Sequence, residues 1–161
     1  MANAPTPSAQ GQTQNQSQPT PGFAIANLAG RFAFRFGGFP VRNGIMYRLD
    51  GVGQFTLDAQ GNLTGKQRSA ITALQGQSAK LATGAFALTG TVTLDSDGTG
   101  SASIKFRATD GGSGDVDGEF FLAVAGSPDR LWLISSGGTE PSSGDQADEL
   151  CSLEAVRMPT S

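Results

Sequence analysis

The chain has 161 residues, of which 16% are charged, and a formal net charge of −3. That length allows one domain with a real core. The mild acidity excludes a nucleic-acid partner, which calls for a basic patch, and no apolar run approaches the roughly 20 residues of a membrane helix, so membrane insertion is not expected. There is no histidine and a single cysteine, Cys151. This excludes Ser-His-Asp and Cys-His catalysis, His-ligated metal and an intrachain disulfide, and no metal or cofactor is expected. Cys151 reads as a small apolar residue.

Residues 1–22 are rich in Gln, Asn, Pro, Ser and Thr and almost free of large apolar side chains. Such a segment buries too little surface to offset its ordering entropy, so residues 1–27 are read as a disordered tail ahead of a barrel domain at 28–158. The tail lacks the basic start and apolar core of a signal peptide. It is similar to the linker left after removal of an export signal, which favours a secreted or periplasmic location over a cytoplasmic one.

From Leu28 onward the hydrophobic period is two, with Gly, Asn and Asp at the breaks. Residues 31–41 and 45–57 flank Arg42-Asn43-Gly44, and Asn-Gly favours a type I′ turn. Setting Arg42 opposite Ile45 places Phe36 over Gly51, Phe34 over Gly53 and Phe32 against Phe55. The other face then carries Arg31, Ala33 and Arg35, which with Arg48 read as a solvated basic stripe. The turn 58–62 sets Leu57 against Leu63, Leu49 against Ile71 and Tyr47 against Ala73, with Gln67 and Ser69 inward. Residues 75–85 are read as a loop or a short helical turn. The turn 95–99 pairs Leu94 with Gly100, Leu88 with Phe106 and Phe86 with Ala108, leaving Thr and Ser on the reverse face. The turn 126–129 pairs Val124 with Leu131 and Leu122 with Leu133, beside Phe120. Its reverse face is also apolar, with Phe121 against Ile134 and Ala123 against Trp132.

Residues 136–148 read as a polar loop, and 149–158 as a closing strand whose pattern leaves open whether Glu154 or Arg157 faces inward. T-L-D-x-x-G occurs at Thr56–Gly61 and again at Thr93–Gly98, a hairpin unit used twice. Asp95, Asp97, Asp110, Asp115, Asp117 and Glu119 have oxygen ligands of the calcium type, but Asp95–Gly100 is only a fragment of a calcium loop, and turn chemistry is the expected role.

About eight strands joined mostly by hairpins predict an all-β fold, a single antiparallel up-and-down barrel, with a β-sandwich as the alternative closure. The predicted lumen carries Phe32, Phe34, Phe36, Tyr47, Phe55, Gln67, Ser69, Phe106 and Phe120, with Ser135 a further inward polar residue. Eight strands make a barrel just wide enough for side chains to fill, so these rings suit a solid core as well as a pocket. Outside, Phe121, Trp132 and Ile134 would face water together. Such a patch marks a contact, so a homo-oligomer is expected; cover by residues 23–28 and a reversed inside/outside assignment of this hairpin are the alternatives.

The segments LAGRFAFRFGGF, GVGQFTLDAQGNLTG, GTVTLDSDGTG and FFLAVAGSPDRLWLIS resemble those of a loosely defined set of uncharacterised bacterial β-barrel proteins, many of them exported. The architecture is similar to calycin and allene-oxide-cyclase-like barrels over residues 28–158. No catalytic motif of the cyclases matches residue by residue, so the resemblance assigns no catalytic residue. Three functional readings follow. The first is a barrel that binds a small hydrophobic molecule in its lumen or serves as an interaction module. The second, implied by the resemblance, is a cyclase or isomerase acting on a polyene or fatty-acid-derived substrate, with Tyr47, Gln67 and Glu154 as polar handles. The third is a structural or assembly subunit of a secreted or surface complex.

Overall fold

The structure, a computed structural model, describes residues 22–42, 45–74, 81–111, 115–139 and 151–159. Nine strands follow a short 3-10 helix, Ile25–Leu28: β1 (Gly30–Gly38), β2 (Val41–Arg42), β3 (Ile45–Leu57), β4 (Asn62–Ala73), β5 (Leu81–Leu94), β6 (Thr99–Ala108), β7 (Val116–Val124), β8 (Arg130–Thr139) and β9 (Cys151–Arg157). Pro40 has no amide to give the ladder, which separates β2 from β1. The Tyr47 amide still donates to the Pro40 carbonyl at 2.9 Å, so β1 and β2 form one stave against β3. The result is a closed antiparallel up-and-down barrel of eight staves. Closure is made by β1, which pairs with β3 on one side and β9 on the other. This rules out the sandwich, because no sheet edge is left to separate two layers.

The four hairpin registers follow the alternation of side chains. Phe32, Phe34 and Phe36 oppose Phe55, Gly53 and Gly51; Leu57 opposes Leu63; Leu94 opposes Gly100; Leu122 opposes Leu133. A slip of one residue would turn each apolar set to water. The Asn43-Gly44 turn lies outside the described residues, as do 1–21 of the expected tail.

Three expectations need correction. Residues 81–85 are strand rather than loop or helical turn: β5 starts at Leu81 and pairs Thr72 with Leu81 and Ser69 with Gly84. Residues 75–80 lie outside the described residues. Residues 136–139 continue β8 past a bulge between Glu119 and Phe120, where the ladder shifts by one residue. The closing strand, described from Cys151, ends at Arg157 rather than Met158, and residues 149–150 of the expected strand lie outside the described residues, as do 140–148 of the expected loop.

The two ends of the barrel differ. At the lower end lie the three tight turns and the start of β1. Leu28, Leu57, Leu63 and Leu131 are buried there, with Ile25 packed on them. Phe23 lies against Gly98, and its amide donates to the Ser96 carbonyl at 2.9 Å. Residues 22–29 therefore run across this end and seal it. Arg157 completes the seal. Its guanidinium sits 5.0 Å from the centre of the Phe32 ring and donates to the carbonyls of Asn27, Ala29 and Pro128 and to the Asp129 carboxylate.

Two turns repeat a left-handed glycine and are each held by an aspartate, at different positions of the repeat. Gly61 and Gly98 both take φ of 88°, a left-handed conformation that suits glycine. The Asp58 carboxylate accepts from the Asn62 side chain, the Asn62 amide and the Gln60 amide, and the Asp97 carboxylate accepts from the Thr99 amide and hydroxyl. The hydrogen bonds from Asn62 hold the Asp58 carboxyl below the ordinary 3.8. Those from the Thr99 amide and hydroxyl do the same for Asp97. A carboxyl whose folded pKa is lowered adds stability that is present above its unfolded value and is lost as the pH falls through the folded one. Urea midpoints should therefore be flat at neutral pH and fall once the pH drops below the ordinary aspartate range. The double variant Asp58→Asn with Asp97→Asn should lower the neutral-pH midpoint and flatten that fall. An unchanged slope would remove these two carboxylates from the acid response.

Candidate functional site

At the upper end, opposite the seal, side chains from six strands take inward positions. Phe36 of β1, Tyr47 and Leu49 of β3, Ser69 and Ile71 of β4, Phe86 of β5, Phe106 of β6 and Ser135 of β8 are all half-buried. Their inward position follows from the period-two pattern and the ladder registers. Glycines opposite the rings give them room. A β-carbon at Gly51 or Gly53 would collide with the Phe36 or Phe34 ring, and one at Gly118 would lie 2.9 Å from Phe120 and 3.2 Å from Phe106.

Below this level the lumen is solid. Phe32 stacks on Phe55 with centroids 5.1 Å apart, Phe34 leans on Phe55 at 5.8 Å, and Phe120 meets Phe106 edge-on at 6.3 Å. Of the expected lumen residues, Phe32, Phe34, Phe55 and Phe120 are thus core, while Phe36, Tyr47, Ser69 and Phe106 belong to the upper end.

Gln67 stands between the two zones, on β4 between Gly53 of β3 and Phe86 of β5. It is the one buried polar residue of the described chain, 8% exposed, and its Oε1 has no hydrogen-bond partner there. An unmet buried acceptor costs about 1–3 kcal/mol. Among the eight longer strands, Arg157 at the seal is the sole charged residue at an inward position. Glu154 points outward and binds Arg35 at 2.9 Å and Arg130 at 3.8 Å. Cys151 is buried at the top of β9, where its amide donates to the Ser135 hydroxyl at 2.9 Å.

The acidic residues near 110–119 hold protein groups. Asp110 accepts from the Ala85 amide and Asp115 from the Ala108 amide, Asp115 and Asp117 pair with Arg107, and Glu119 accepts from the Ser103 hydroxyl. Among the described residues no three acidic or cysteine side chains converge as a metal site would require. Arg31, Arg35 and Arg48 are exposed, bound to Gln54, Glu154 and Asp50. No helix among the described residues is long and apolar enough to cross a membrane.

The outer wall of β7 and β8 carries Phe121, Trp132 and Ile134 at 67%, 54% and 61% exposure. Residues 23–28 lie over the lower end and leave this wall uncovered. Gln67 and the wall were legible from parity alone. The sealing role of Arg157 was not, because it depends on carbonyls of residues 27, 29 and 128, remote in sequence.

Fold and site together define a small closed β-barrel with one sealed end and, at the inward positions of its eight longer strands, an upper lumen of aromatic, aliphatic and hydroxyl side chains. Comparison with protein-family models, with curated proteins and with solved structures gives no match.

Proposed function

We propose that this barrel binds a small, uncharged, mainly apolar molecule at its upper end, with Gln67 as the polar anchor. The supporting observation is the unpartnered, buried Gln67 Oε1 beneath a ring of half-buried aromatic side chains. An apolar cavity with a few convergent polar groups is the usual form of a small-molecule site. Oε1 accepts, so the ligand offers a hydroxyl or amide donor. A carboxylate would lose its hydration without gaining an inward cation near Gln67, which is costly. The cyclase reading has lost Glu154 as a handle and keeps only Tyr47 and Gln67.

The test is displacement of a fluorescent lipophilic probe by a long-chain alcohol, the matched carboxylate and the matched alkane. The alcohol should compete best. Gln67→Leu should erase its advantage over the alkane, about tenfold for one hydrogen bond near 1.4 kcal/mol. The same substitution should leave thermal stability equal or higher, since it removes an unmet acceptor in favour of an apolar group of similar size. Absence of saturable probe binding would overturn the binding reading, and a carboxylate preference would overturn the role of Gln67.

A further inference from the structure

We propose that the β7–β8 wall is the contact face of a two-fold dimer of this chain. This goes beyond the ligand site, which lies on the inside of the barrel. The outward residues of β7 run Glu119, Phe121, Ala123, Ala125, and those of β8 run Ile134, Trp132, Arg130 in the opposite direction. Phe121 opposes Ile134 and Ala123 opposes Trp132, so the centre of the strip is apolar. A carboxylate stands at its upper end and a guanidinium at its lower end.

That arrangement is self-complementary. A two-fold axis crossing the strands between the Phe121–Ile134 and Ala123–Trp132 pairs reverses the strip. It lays Phe121 over the partner's Ala123, Ile134 beside the partner's Trp132, and Glu119 next to the partner's Arg130. Each contact then occurs twice, as an isologous interface requires. Phe121 then meets a small residue and Ile134 packs edge to edge with the partner's Trp132, as the inner faces of two antiparallel sheets do. The charges have capacity for it. Among the described residues Glu119 is exposed and held by the Ser103 hydroxyl alone, and Arg130 is 53% exposed with Glu154 at 3.8 Å. Of the flanking outward residues, Thr99 and Ser101 on β6 and Ser152 on β9 are short and leave Phe121 and Ile134 protruding, while Glu154 on β9 stands beside Trp132.

Trp132 is the only tryptophan, so its emission reports on the contact. Sedimentation of the full chain over a wide concentration range should show a monomer–dimer equilibrium, with Trp132 emission shifting to the blue as dimer forms. Phe121→Asp should weaken association by about tenfold or more, as loss of a central interface aromatic does. Arg130→Glu alone should weaken it, and Arg130→Glu with Glu119→Arg in one chain should restore it; thermal melts separate this from misfolding. A monomer at every concentration overturns the proposal, as does a dimer indifferent to Phe121→Asp or a double charge swap that fails to rescue. A strict monomer with blue emission gives the surface to another segment of the chain and equally overturns it.

Discussion

Phe32→Ala is expected to bring the barrel close to global unfolding. Phe32 has no exposed surface and sits where the aromatic stack meets the seal. It stacks on Phe55 at 5.1 Å with an 18° interplanar angle, and the Arg157 guanidinium lies 5.0 Å from its centroid. Truncation removes the ring's transfer free energy and leaves a cavity. The walls cannot collapse into it, because β1 is hydrogen-bonded on both sides, to β3 and β9. Phenylalanine-to-alanine changes in such settings cost about 3–5 kcal/mol, against about 5–15 kcal/mol for a whole domain. Urea unfolding followed by far-ultraviolet dichroism measures the loss. Phe39→Ala is the matched control, since Phe39 is 50% exposed and its loss should shift the midpoint little. Equal shifts for the two would contradict a solid lower core.

Arg157→Met is expected to cost about 2–3 kcal/mol and to loosen residues 22–29 before the barrel itself. Methionine keeps an unbranched stem over Phe32 but removes every donor. The carbonyls of Asn27, Ala29 and Pro128 and the Asp129 carboxylate then lose a charged partner at once. Hydrogen bonds to a charged donor contribute more than neutral ones, while the 23% exposure of the Arg157 side chain lets water replace part of them. Arg157→Lys should recover little, because one ammonium cannot span four acceptors on two segments as the planar fork does. Amide exchange separates the effects. Protection at Phe23 and Asn27 should fall first, while the β5–β6 ladder stays protected in proportion to global stability. Uniform loss everywhere would make Arg157 a general core residue rather than the fastening of the seal.

These two residues show where the chain could be read locally and where it could not. Phe32 was placed inside by parity in GRFAFRF and by a single hairpin register, both within one short stretch. Arg157 lies on a strand whose own pattern, with Glu154 and Arg157 on opposite parities, has no decisive apolar period. Its direction became definite only through pairing with β1, about 120 residues away in the chain. Gln67 was assigned inward from the register of β3 and β4, but that its acceptor would be left unmet depends on which rings surround it.

By itself the sequence determined the four hairpins, their registers and which of their residues share each face. The reason is that a hairpin pairs neighbours across a few residues, and a one-residue slip would expose every buried side chain of the pair. Only the tertiary structure decided the closure of β1 on β9, the start of β5 at Leu81, the seal by residues 22–29 and Arg157, and the ring packing that fills the lower lumen. Those features join segments remote in the chain, where ring packing around the closed circle and carbonyls from two separate segments, not local periodicity, select the arrangement.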